Sequence, residues 1–129
     1  MTETPKGEIT LQTIAMPADA NANGDIFGGW LMAQMDLGAS VQARRRAQGR
    51  TATVACDDMR FLRPVKIGDL VSIHSELSRE GRSSMGISVE VWARRPEGHA
   101  HARVAEAKFT FVAIDGEGRS RTLPDPTVG

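Results

Sequence analysis

The chain has 129 residues, with 16 basic and 16 acidic side chains and a formal net charge of zero. That length suits one domain with a real core, and the even balance excludes a general binder of nucleic acid or acidic membrane, which carries a basic excess. No apolar run approaches a membrane span of about 18 residues and no secretory leader pattern is visible, so the expectation is a cytoplasmic protein that neither crosses nor coats a membrane.

Residues 8–15, EITLQTIA, alternate in part and predict a first strand. The following MPADANANGD collects Pro, Asn, Asp and Gly, which is loop chemistry. From about residue 28 to 48 the pattern turns helical. Leu31, Met35, Gly38 and Gln42 repeat at helical spacing, flanked by Trp30, Ala33, Leu37 and Val41, and Gly49 is placed to close the helix. After it the period falls to two. Residues 51–61, TATVACDDMRF, predict a strand that stops before Arg63-Pro64. The lone cysteine of the chain, Cys56, reads there as a small buried thiol and fits a reducing compartment. Residues 69–79 alternate, and a turn at Glu80-Gly81 leads to a strand over 83–94, where Met85, Ile87, Val89 and Val91 share a face. Pro96-Glu97-Gly98 is a further turn, residues 101–114 are the last strand, and the tail GEGRSRTLPDPTVG looks irregular. No repeat or linker divides the chain, so residues 1–129 read as a single domain with its core over about 8–124. Hairpin-linked strands imply an antiparallel sheet, and one long helix lying across it gives an α+β class.

The stretch NANGDIFGGWLMAQMD holds the candidate chemistry. A helix start leaves about four backbone N–H groups unpaired at the positive end of the macrodipole. Gly28 and Gly29 have no Cβ to keep a ligand away, so their amides can hold a developing oxyanion. Tight packing against the sheet is the plainer reading of the same pair. Asp36 stands among Met32, Met35 and Leu37; it is either a solvated helix acid or a general base for water. Gly28 and Asp36 lie eight positions apart, about 12 Å along a helix axis, whereas reacting atoms must approach to about 3–3.5 Å. One helix does not easily supply both groups. Two antiparallel copies from two subunits do, which predicts a site built twice across a homodimer.

The β-α-β-β-β-β order, the NANGDIFGGW loop-to-helix junction and the acid on the helix resemble the hotdog-fold acyl-CoA thioesterases. MPADANANGDIFGGWLMAQMDLG, GRSS and FVAIDGEGRSRTLP are similar to the YciA-type branch of short- to medium-chain acyl-CoA hydrolases, over about residues 8–124. The resemblance implies one central helix wrapped by a five-stranded antiparallel sheet, a homodimer joined through its sheets, and an assembly of three such dimers. It implies hydrolysis of an acyl-CoA to a free acid and coenzyme A, with water as co-substrate and no cofactor. The matching acid is Asp36, as base or nucleophile. The matching oxyanion donor is the backbone of Gly28 or Gly29, and the matching asparagine is Asn21, with Asn23 as the competing alignment. Many relatives have histidine before the glycine pair; here Phe27 stands there, leaving the proton chemistry to Asp36.

Coenzyme A carries a pyrophosphate and a 3′-phosphate, which call for guanidinium, hydroxyl and amide donors. Gly81, Arg82, Ser83 and Ser84 match that need through the resemblance, and Arg63, Arg119 and Arg121 are further candidates, with Asn23, Asp25 and Phe27 near the junction. Trp30, Met32, Met35 and Met59 are expected to line an apolar acyl channel, where flexible methionines tolerate varied chains. Arg44-Arg45-Arg46 suits the negative end of the helix and reads as structural. His74, His99 and His101 have neither helical histidine partners nor nearby cysteines, so no metal site is expected. No Gly-Lys-Ser/Thr phosphate loop or Gly-x-Ser-x-Gly elbow is present. The alternatives are a hotdog hydratase or dehydratase, which needs a histidine near the acid, and a non-catalytic acyl-CoA-binding protein.

Overall fold

A computed structural model describes residues 3–98 and 100–126. The elements run β1 (Glu8–Ile14), a short 3-10 turn (Pro17–Asp19), α1 (Gly28–Ala47), β2 (Thr51–Phe61), β3 (Leu70–Glu80), β4 (Ser84–Arg94) and β5 (His101–Ala113). The five strands form one antiparallel sheet in the order β1-β3-β4-β5-β2. The helix touches all five strands, so the sheet curls about it as expected for the hotdog fold. None of the described helices is long and apolar enough to cross a membrane.

The core forms between one stripe of α1 and the inner sheet face. Leu31, Met35, Gly38, Ala39, Ala43 and Ala47 are buried along the helix. They meet Val71 and Ile73 of β3, Met85, Ile87, Val89 and Val91 of β4, and Phe109 and Phe111 of β5 in one cluster. Gly38 allows a close approach: a Cβ there would lie 2.5 Å from Cγ2 of Ile73 and 3.0 Å from its Cβ. Small residues at 38, 39, 43 and 47 let the helix settle into the sheet at native density. Gln42, at the edge of the stripe, spans to β1 and β3 by donating to the Glu8 carboxylate and to the Ser75 carbonyl at 2.8 and 2.9 Å.

Four expectations change. Leu37 and Val41 do not flank a buried stripe; they are 54% and 38% exposed, with Met32 at 42%. Gln48, not Gly49, takes the left-handed conformation that ends α1, at φ 52° and ψ 47°; Gly49 instead gives room to the Arg121 guanidinium, which a Cβ at 49 would meet at 2.8 Å. Cys56 is exposed rather than buried, because β2 is an edge strand paired only with β5. Residues 53–58 of that strand are all exposed, and the ladder is interrupted near Asp58, whose φ is 53°. Met35 is fully buried while Met32 faces outward, so the two do not line one channel.

At the far end of α1, Arg45 pairs with Glu8 and Arg46 with Glu80. Arg46 also donates to the Pro124 carbonyl at 2.9 Å. The tail after β5 lies over the β3–β4 hairpin, held where the Leu123 N–H donates to the Arg82 carbonyl at 2.9 Å and the Arg121 N–H to the Ala113 carbonyl at 2.9 Å.

Candidate active site

The loop before α1 is folded by its own polar side chains. Asn21 Oδ1 accepts the backbone N–H groups of Asn23 (2.9 Å) and Asp25 (3.1 Å), and the Asn21 N–H donates to the Asp25 carbonyl at 2.8 Å. This is the local competition by which asparagine makes turns. Gly24 takes φ 84° at the tip. Asp25 pairs with Lys66, and the Ile26 N–H donates to the Val65 carbonyl at 2.9 Å, which ties the loop to the β2–β3 connection. Oδ1 is therefore committed, and the Nδ2 group of Asn21 is left as a donor with no acceptor among the described residues. Asn23 contributes its backbone N–H to this turn and its side chain is exposed.

Phe27 stands at the N-cap and offers no side-chain cap to the helix. Its carbonyl takes the N–H groups of Trp30 and Leu31 at 3.1 and 3.3 Å. The N–H groups of Gly28 and Gly29 have no acceptor among the described residues, as a first helical turn without a cap requires. Beyond Gly29 the space is open: an added Cβ would meet nothing within 4 Å. Gly28 instead opens onto a cleft lined by Ile26, Leu31, Phe61, Leu62 and Val65, with Asp25, Arg63 and Pro64 at its rim. Arg63 is held there by donating to the Arg103 carbonyl at 2.6 Å.

Asp36 lies two turns along the helix and is half-buried. Its Oδ1 accepts the hydroxyl of Thr53, on β2, at 2.7 Å. Thr53 escapes sequence reasoning: it is one of several threonines, 17 positions from the acid, and only the crossing of α1 over β2 brings the pair together. The same carboxylate reaches a second group. Although Cys56 is exposed, partial desolvation of its sulfur, then the charges of Asp57 and Asp36, push the thiol above its usual range.

Gly28 and Arg63 share the cleft at the helix start, the 51% exposed Phe27 and Gly29 flank Gly28 in the chain, and Asn21 is tied to Asp25 at the cleft rim. Trp30 and Met59 are part-buried against the core. Gly81, Arg82, Ser83 and Ser84 form the β3–β4 hairpin, closed by the Gly81 N–H donating to the Ser84 carbonyl at 2.8 Å. Arg82 and Ser83 share a polar cleft with Ser120, Arg121 and Thr122 of the tail. The Arg121 guanidinium is tied there by its Nε to the Ile114 carbonyl at 2.9 Å. Arg119 is not brought to this cleft; it pairs with Glu117 in solvent at 3.2 Å. His74 lies buried on β3 beside the Gly7 carbonyl at 3.3 Å, and His101 packs on Trp92 with ring centroids 4.7 Å apart. His99 lies outside the described residues. No cluster of metal-ligating side chains occurs among the described residues.

Comparison with known proteins gives a consistent answer. The Thioesterase superfamily family model matches residues 23–100. The acyl-CoA thioester hydrolase YciA of Escherichia coli is 48% identical over 124 residues, covering 93% of each chain. HI0827, described as a hexameric broad specificity acyl-coenzyme A thioesterase and solved as an aspartate-to-alanine mutant, superposes with a TM-score of 0.91 at 47% identity, over 94% of this chain and 89% of its own. An acyl-CoA hydrolase of Staphylococcus aureus, solved with butyryl coenzyme A, coenzyme A and coenzyme A disulfide, superposes with a TM-score of 0.82 at 32% identity, over 88% of this chain and 70% of its own. That enzyme has been solved as separate alanine mutants of an asparagine, of an aspartate fifteen residues later, and of a threonine seventeen residues beyond the aspartate.

Proposed function

Since the chain belongs to the thioesterase superfamily, we propose that it hydrolyses acyl-CoA thioesters to a free acid and coenzyme A, with water as the only co-substrate. The observation that carries this reading is a helix start with two unpartnered glycine amides, served by a helix that also presents a carboxylate held by a threonine hydroxyl. The amides of Gly28 and Gly29 receive the thioester oxygen and hold its charge as it develops. Asp36 takes a proton from water, which attacks the carbonyl carbon. The tetrahedral intermediate then collapses, the carbon–sulfur bond breaks and the coenzyme A thiolate leaves. Thr53 fixes one oxygen of Asp36 so that the other is free for the water, and Nδ2 of Asn21 donates to water or thioester. Asn21, Asp36 and Thr53 stand at the spacings of the three residues replaced in the Staphylococcus aureus enzyme, which supports Asn21 over Asn23.

The axial separation of Gly28 and Asp36, about 12 Å, requires that the amides of one protomer work with the partner's Asp36. An interface for such a pair is available: Met32, four positions before Asp36 on the same side of α1, and Val54 on β2 are exposed, and the free edge of β2 has no strand beside it. Sheets joined at that edge bury this apolar surface and satisfy the unpaired ladder. Three such dimers make the hexamer, the state named for HI0827. The cleft of Arg82, Ser83 and Arg121 offers donors for the phosphates of coenzyme A. The acyl range is broad and the enzyme works in the cytoplasm.

Thiol release from a panel of acyl-CoAs tests the assignment. Asp36→Ala is expected to lower kcat by about 10²–10⁴ with the fold intact, and hydrolysis at the wild-type rate overturns Asp36 as the base. Mixing Asp36→Ala chains with Asn21→Ala chains should restore part of the activity, because one of the two shared sites is then whole. No recovery in verified heterodimers rules out a shared site.

A further inference from the structure

The cleft at the start of α1 has a wall with no task in the chemistry above. Phe61, the last residue of β2, sets the tip of its ring against the helix start, where a Cβ added to Gly28 would lie 3.4 Å from Cζ. Packing there does not hide the ring, which is 49% exposed, and the neighbouring Leu62 is 42% exposed. Beneath them the cleft is closed by Ile26, Leu31 and Val65, which belong to the buried core. The floor is fixed, because deepening it means opening a close-packed interior. The wall is adjustable, because Phe61 and Leu62 stand outside that core. Apart from its rim, the cleft is apolar, and the Gly28 amide stands at one side of it.

We infer that this cleft receives the carbon chain of the acyl group and that Phe61 is the residue that sets acyl-length preference. The inference rests on the thioesterase reading. A carbonyl oxygen on the Gly28 N–H leads the chain beyond its second carbon along the Phe61 ring, where an apolar chain gains and a polar one loses. An acetyl group is too short to lie along the ring. A chain of four to six carbons lies against it, and a longer one runs past its exposed edge. The discriminating contact is therefore made by the chain and not by the thioester, and its loss appears in KM for longer substrates.

The test is kcat/KM for acetyl-, butyryl-, hexanoyl- and decanoyl-CoA with wild type, Phe61→Ala, Phe61→Leu and Phe61→Trp. The hexanoyl-to-acetyl ratio is expected to fall about 10-fold in Phe61→Ala, the scale of a few apolar contacts, through a higher KM for the longer substrate. Phe61→Leu is expected to restore most of the ratio. An unchanged ratio in a folded Phe61→Ala enzyme overturns the inference, as does an equal loss on all four substrates. Should Phe61→Ala fail to fold, equal ratios in Phe61→Leu and Phe61→Trp overturn it and different ratios support it. A wild-type enzyme inert on all four thioesters overturns the thioesterase reading itself, whereas hydrolysis with an unmoved ratio overturns only the role of Phe61.

Discussion

β2 and β4 are each 11 residues long, yet they live in different surroundings. β4 lies mid-sheet between β3 and β5, and Met85, Ile87, Val89 and Val91 are buried beneath α1. β2 has one neighbour, and from Thr53 to Asp58 both of its faces are exposed. The same division runs round the helix, which is closed over β3 and β4 and open beside β2. Groups with a candidate chemical role gather on the open side or at its end: Thr53, Asp36, Phe61 and the unpartnered amides of Gly28 and Gly29. The closed side holds the molecule together, and the open side leaves polar groups and the β2 edge uncovered.

The contrast can be broken most directly by truncation. Ile87→Ala on β4 is expected to cost about 2–5 kcal/mol, while Val54→Ala on β2 should change the unfolding free energy of an isolated protomer by less than about 0.5 kcal/mol and instead weaken self-association. Chemical denaturation with sedimentation reads both effects, and comparable destabilisation at the two positions would erase the division. Next in size is Gly38→Ala. The new methyl meets Ile73 at 2.5 Å, and overpacking of this kind costs about 1–3 kcal/mol, more than the helix-propensity gain of about 1 kcal/mol. Gly29→Ala, facing open space, should leave the melting temperature unchanged or higher.

A smaller effect sharpens the open side. Thr53→Val removes the hydrogen bond to Asp36 and keeps the shape, with an expected loss in kcat of about 10-fold, since hydrogen bonds to charged groups contribute about 1.5–3 kcal/mol. Thr53→Ser should recover most of the rate, and a serine variant as slow as valine would remove the hydroxyl from the account. The smallest effect belongs to the closed side. The Arg46 hydrogen bond holds the Glu80 carboxyl below its usual range. A depressed folded value means that stability is present above the unfolded carboxyl value and is lost as pH falls through the folded one. Arg46→Ala should therefore lower stability at neutral pH by no more than about 1 kcal/mol and flatten its decline below about pH 4.5; an unchanged acid limb would show that the pair contributes nothing.

Much of this frame was legible in the residues. Period two placed the long strands within a residue or two, and the loop chemistry before Gly28 located the helix start. Neighbour relations were not legible. Alternation reports that a segment is pleated, not which strand lies beside it, so Cys56 on β2 looked as buried as Ile87 on β4. The glycine pair and Asp36 stood out because their residue types conflict with their surroundings. Thr53 did not, because a threonine in a strand conflicts with nothing, and its contact depends on a helix crossing that local pattern leaves open. Gln48 took the left-handed position that Gly49 was better suited to fill, and Gly49 was needed where Arg121 crosses it.

The committed oxygen of Asn21 has a consequence for what the loop–helix junction accepts. The side-chain amide cannot be turned round without breaking two hydrogen bonds at once. What the junction then presents, from Nδ2 of Asn21 and from the N–H groups of Gly28 and Gly29, is hydrogen of one polarity. Such a mouth favours visitors that bring lone pairs, such as carbonyls and carboxylates, and the loop carboxylate of Asp25 is already taken by Lys66.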